Sequence, residues 1–125
     1  MSNLLFLLAT WFVGISSLQS VPHAQLEEAF KRNSAEGIVA LANEKVLVNI
    51  FGKEGVYSHA QATLVLKDFF AKKSKGDFSF IFKGKEGGGG TFSIANYVCQ
   101  GVTHRVTFHF KKEGANYRIE TLTIE

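Results

Sequence analysis

The chain has little cysteine, proline or aspartate, and each shortage excludes something. Cys99 is the only cysteine in 125 residues, so no internal disulfide can form. The fold must therefore hold by packing alone, even in an oxidising compartment. Within the run YVC the thiol reads as a small buried hydrophobe, since nothing local marks it as an activated nucleophile. Aspartate occurs only as Asp68 and Asp77. Asp68 stands four residues before Lys72 on a helical stretch, which predicts a surface ion pair, and Asp77 beside Gly76 reads as turn chemistry. No acid–base pair stands out, and no motif implies a cofactor. The single proline, Pro22, suits the first turn of a helix. The formal net charge of +3 favours solubility and selects no class of partner.

Long hydrophobic runs are also scarce. Leu4 to Ile15, LLFLLATWFVGI, is the longest, and the first eighteen residues carry no charged side chain. A transmembrane helix needs about 20 apolar residues, so the mature chain is expected to lack a membrane span. Length and position instead fit the apolar region of a secretory signal peptide, with small residues Ser16, Ser17 and Ser20 near a cleavage point. Residues 1–20 are read as that signal and 21–125 as one domain, secreted or periplasmic and soluble. An uncleaved N-terminal anchor or a hydrophobic helix of the fold is the competing reading.

What the rest of the chain does have is helical periodicity followed by alternation. Ser58 to Lys73 places Ala62, Val65, Leu66, Phe69 and Phe70 on one stripe. Ser58 and Gln61 have the spacing of a capping box, and Lys72, Lys73 and Lys75 complement the negative pole before Gly76. So short a helix needs a partner surface. Upstream, AQLEEAFKR predicts a first helix with Leu26, Ala29 and Phe30 on one side, and Ser34 an N-cap for a second helix through Ala42. Lys45 to Phe51 reads as a strand ended by Gly52, and Gly55 to Tyr57 as a short one. Asp77 to Lys85 sets Phe78, Phe80 and Phe82 on one face, and Thr91 to Gln100 is strand-like. Val102 to Lys112 alternates, with His104, Val106, Phe108 and Phe110 sharing a side. In Asn116 to Glu125 the apolar parity changes between Ile119 and Leu122, which predicts a bulge near Glu120 or Thr121. The order implies an α+β fold: early helices and one longer helix packed on a strongly curved antiparallel sheet.

YSHAQATLVLKDFFAKK after a Gly-bounded strand, then DFSFIFKGK, then THRVTFHFKK and NYRIETLTIE together resemble the nuclear transport factor 2-like (cystatin-like) superfamily of cone-shaped α+β domains. More narrowly, the chain is similar to a family of small exported bacterial proteins of unknown function. The resemblance spans about Gln25 to Glu125. It implies a cone between sheet and helices that can hold a small molecule, and pairing of sheets into homodimers. It carries no catalytic residues onto this chain.

His104, on the Phe108 side, points into such a cone or to its rim and is the best single candidate for acid, base or ligand contact. A core histidine bonded to backbone is the competing reading. Tyr57 and Tyr97 could also reach a pocket, against the alternative of amphipathic core aromatics. His104 and His109 differ in parity, and His23 and His59 lack ligand-type spacing, so no metal site is expected. Gly84 to Gly90 lacks a phosphate-loop ending and reads as a hairpin loop. Lys72, Lys73, Lys75, Lys83 and Lys85 are expected to gather near one end, where an anionic surface would be rewarded; dipole compensation and solvation explain them equally well. A noncatalytic exported binding module is favoured. The alternatives are a cone-pocket enzyme of isomerase or dehydratase type centred on His104, and a homodimer packed through a sheet face that carries Thr107.

Overall fold

The computed structural model describes residues 20–125. Residues 1–19, where the expected export signal falls, lie outside them. Helix α1 (His23–Lys31) and helix α2 (Ala35–Val39) come first, followed by strands β1 (Ala42–Ile50) and β2 (Lys53–Ser58). Helix α3 (His59–Phe70) leads to β3 (Asp77–Lys83), β4 (Gly90–Cys99), β5 (Val102–Glu113) and β6 (Asn116–Ile124). The six strands form one sheet in the order β2-β1-β6-β5-β4-β3, antiparallel throughout except where β1 runs parallel to β6.

The capping box forms. Gln61 N–H donates to Ser58 Oγ at 3.3 Å, and Ser58 N–H to Gln61 Oε1 at 3.1 Å. Ala62, Leu66, Phe69 and Phe70 are buried, with Val65 half-buried at the margin of the stripe. At the other end Lys73 Nζ donates to Phe69 O at 3.0 Å, so one of the terminal lysines satisfies a helix-end carbonyl directly. Ser34 caps α2 by accepting from Gly37 N–H at 3.0 Å. That helix stops at Val39, short of the expected Ala42, because Arg118 gathers the carbonyls of Ala40 and Ala42 and turns the chain into β1. His59 Nε2 donates to the carbonyls of Ala42 and Asn43 at 3.1 and 2.8 Å, fixing the same corner from α3.

Two bulges bend the sheet. Against β5, the β6 register steps from Thr121 to Ile119, leaving Glu120 as the extra residue where the parity change predicted one. Against β4, the β3 register steps from Phe80 to Phe82 across Ile81. This second bulge overturns the expectation that three phenylalanines share a face. Phe78 is buried and Phe80 half-buried, but Phe82 is turned outward, 5.1 Å from Phe92. The strand expected over Lys45 to Phe51 begins earlier, at Ala42, and ends before Phe51. Phe51 adopts φ 53° in the β1–β2 turn with Gly52 at φ 90°, which leaves its ring 57% exposed.

The core lies between the concave face and the helices. Phe30 of α1 is fully buried, stacked 4.5 Å from Phe78 and within 6 Å of the Phe70, Tyr97 and Phe108 rings. Tyr97 is also fully buried and donates to Asn33 Oδ1 at 2.6 Å. Burial first, then the neighbouring Cys99, push its hydroxyl up to about 12 against the opposing effect of the Asn33 bond, so it stays protonated at neutral pH and donates. Asn33, at φ 51°, spends its amide on the carbonyls of Lys73 and Ser74, both at 3.2 Å. One side chain thus ties the α1–α2 turn to the α3–β3 connection and to β4. Cys99 is buried beside it and donates Sγ–H to Ser74 O at 3.1 Å.

Tyr97→Phe is expected to cost about 1 kcal/mol, because it removes the bond that the buried hydroxyl donates to half-buried Asn33. Asn33→Ala should cost more. The double variant should fall short of the sum, since both changes remove the same bond. Urea unfolding of the three variants measures this, and strict additivity would contradict it.

Candidate functional site

The resemblance implies an open cone, but here the cone is filled. Phe30, Phe78, Tyr97 and Phe108 occupy the space between sheet and helices. Among the described residues a groove of about 610 Å³ lies at the margin, between the C-terminal half of α3 and the β1–β2 hairpin, and a smaller one of about 420 Å³ lies between α1 and α2.

The local sequence explains the gap. Pairing sets Ile50 opposite Lys53, Val48 opposite Gly55 and Val46 opposite Tyr57, so these positions share the concave face. Gly55 contributes no side chain, and the Tyr57 ring lies over it. A Cβ at Gly55 would stand 2.6 Å from the ring and hydroxyl atoms. Tyr57 therefore lies along the strand and leaves the space above it open. The facing wall is Leu64, Val65 and Phe69 of α3, and Ile50 and Phe51 close one end. Lys53, Lys72 and Lys73 line the groove beside a single acid, Asp68. The ion pair expected between Asp68 and Lys72 does not form. The ion pairs among the described residues are Lys31–Glu27, Arg32–Glu28 and Lys67–Glu36. Lys73 is held in place, its Nζ 4.2 Å above the centre of the Phe69 ring and its carbonyl bonded by Asn33.

Of the three residues singled out from sequence, Tyr57 lines the groove. His104 stands behind it, half-buried, with its ring 5.5 Å from Phe51 and 5.7 Å from Phe69. Tyr97 is stacked 6.2 Å beyond His104 and does not line the groove. Phe51, Phe69, His104 and Tyr97 thus form one aromatic series running from groove to core, and Tyr57 lines the same groove from β2. The five lysines do not gather. Seven-residue β3 spans roughly 20 Å from Asp77 to Lys83 at about 3.3 Å per residue, which puts Lys83 at the strand end away from Lys72, Lys73 and Lys75, and Lys83 lies over Phe80.

A second polar pair escaped sequence reading because its members are seventy positions apart. His23 Nε2 lies 2.7 Å from the hydroxyl of Ser93, which is fully buried. The His23 ring meets Phe80 edge-on at 4.6 Å. Burial is the main influence holding His23 below its ordinary value of 6.5; Lys83 adds to it and Glu86 opposes it. The arrangement pins α1 to the sheet and leaves the serine out of reach of solvent. His109 stacks on Phe92 on the convex face at 5.7 Å. Among the described residues no three His, Cys, Asp or Glu side chains are grouped to hold a metal.

Residues 23–125 match the family described as Domain of unknown function (DUF4783). The chain belongs to the DUF4783 family. A DUF4783 protein from Bacteroides ovatus is similar at 26% identity and TM-score 0.73, over 81% of this chain and 91% of that one. A domain of unknown function with a cystatin-like fold from Nostoc punctiforme is similar at 16% identity and TM-score 0.65, over 82% and 70%. An NTF-2 like protein of unknown function from Shewanella oneidensis gives 15% and 0.61, over 81% and 90%. The last two show shared fold alone, the cystatin-like and nuclear transport factor 2-like architecture expected from the sequence. No curated protein matches the chain. No helix among the described residues is long and apolar enough to cross a membrane.

The lowered His23 value has a consequence for stability. The unfolded chain takes up a proton near 6.5 and the folded one only at lower pH, so the unfolded state binds more protons between those two values. The His23 contribution is therefore complete above about pH 6.5 and declines as pH falls below it. Thermal melts across pH 7.5 to 5 should show this decline in the parent protein and a flatter profile in His23→Gln. Equal slopes for the two would contradict it.

Proposed function

We propose that this DUF4783 domain is an exported, noncatalytic binding module that takes a small molecule in the groove between α3 and the β1–β2 hairpin. The observation that carries the reading is the displacement of free volume from a filled cone to a margin with apolar walls and lysines at its rim. Its size falls within the range of about 300–1,000 Å³ common for ligand pockets, where apolar walls supply affinity and a few polar groups set orientation. Export rests on the uncharged apolar run Leu4 to Ile15.

The enzyme alternative is weaker. His104 is packed among Phe51, Phe69 and Tyr97 behind the groove lining, and a general acid or base has to lie within hydrogen-bond reach of the proton it moves. One specific observation favours a second reading, a homodimer through the convex sheet face. Phe82, Phe92 and Ile81 are exposed there, beside half-buried Ile94 and Thr107 on adjoining strands. Exposed apolar residues grouped on a sheet mark interaction sites.

Native mass spectrometry of the mature protein from the exported fraction of its host separates these readings. The binding module predicts a small-molecule adduct that is released on denaturation and is lost in Val65→Trp, which fills the groove from its half-buried wall. A protein without adduct at twice the monomer mass, made monomeric by Thr107→Glu, would transfer the case to the dimer.

A further inference from the structure

Resting on that reading, we infer that the groove is built for a free single-chain anionic amphiphile, with an apolar tail between α3 and the hairpin and an acidic head among Lys53, Lys72 and Lys73. The charge count supports this assignment. Three ammonium groups line the groove against one carboxylate, Asp68. The C-terminal pole of α3 adds roughly half a negative charge, which leaves the excess clearly positive. Neither Lys53 nor Lys72 is engaged in an ion pair with a described residue.

Lys73 adds geometry to charge. An ammonium has three donors, and one is fixed on Phe69 O at 3.0 Å while the group sits over the Phe69 ring. The remaining two are held at the groove with little rotamer entropy left to lose, the condition under which a charged contact contributes most. Phe69 is thus shared between tail and head: its ring walls the groove and supports the cation above it. The tail has its own signature. Leu64 on α3 is 66% and Phe51 at the hairpin turn 57% exposed, and both line the groove with half-buried Val65 and Ile50. A chain lying in the groove would cover both and remove their apolar surface from water. Tyr57, flat over Gly55, offers a hydroxyl on an otherwise apolar floor. Lys83, by contrast, lies over Phe80 and does not line the groove.

The test is isothermal titration of the mature protein with three probes below their micelle concentrations: dodecanoate, dodecan-1-ol and dodecyltrimethylammonium. Dodecanoate should bind at least tenfold more tightly than the alcohol, and the cation more weakly still. Lys53→Gln combined with Lys72→Gln should reduce the preference for dodecanoate over the alcohol several-fold, the remainder resting on Lys73, and leave the alcohol unchanged. Both effects should vanish with all binding in Val65→Trp. Equal binding of alcohol and carboxylate, still abolished by Val65→Trp, would overturn the anionic assignment and leave the groove reading standing. Absence of binding by all three probes, or binding indifferent to Val65→Trp, would overturn both. Cosedimentation with phosphatidylglycerol vesicles without binding of free dodecanoate would overturn the assignment in favour of a membrane surface.

Discussion

Phe30 is the constraint on which the rest of the molecule depends. It projects from α1 into the concave sheet and is packed against Phe70, Phe78, Tyr97 and Phe108, so a helix and three strands converge on one ring. Large-to-small replacement at such a site leaves a hole that neighbours only partly fill, at a cost of about 3–5 kcal/mol for Phe to Ala. A chain without disulfides has to gain its stability this way. The consequence for function is geometric. Rings that close the cone cannot also line an open chamber, and unfilled space moves to where α3 and the hairpin separate.

Polar groups follow the same division. Those near the core are used for holding elements together: Asn33 joins three segments, His59 and Arg118 fix the start of β1, and His23 ties α1 to Ser93. Groups at the groove are left with donors to spare. A buried polar group without a partner is costly, so the interior leaves little room for free acids or bases. The margin, wetted by solvent, can keep several ammonium groups.

Local signals in the sequence marked much of this. The capping box, the stripe on α3, the Ser34 cap and the bulge at Glu120 each rest on residues a few positions apart, and each appears where the spacing puts it. Phe82 was misplaced because a bulge at Ile81 depends on pairing with β4, which alternation within β3 cannot reveal. The lysines separate for a related reason: β3 carries Lys83 to its far end, a distance that closeness in sequence does not reveal. Of the groove, Tyr57, Lys72 and Lys73 were visible as residues but not as neighbours of Phe51 and Lys53. The signal that could have joined them is the FG turn followed by Gly55, which folds the hairpin and clears the floor beneath Tyr57. The His23–Ser93 pair left no local mark at all.

The central claim is that the cone is closed and that the ligand space lies at its margin. Methyl-resolved NMR of the protein titrated with a small apolar probe tests it most directly. The account predicts shift changes at Ile50, Leu64 and Val65, with Val106, Leu122 and Ile124 unmoved. Changes concentrated on the interior set, with the groove methyls silent, would contradict it.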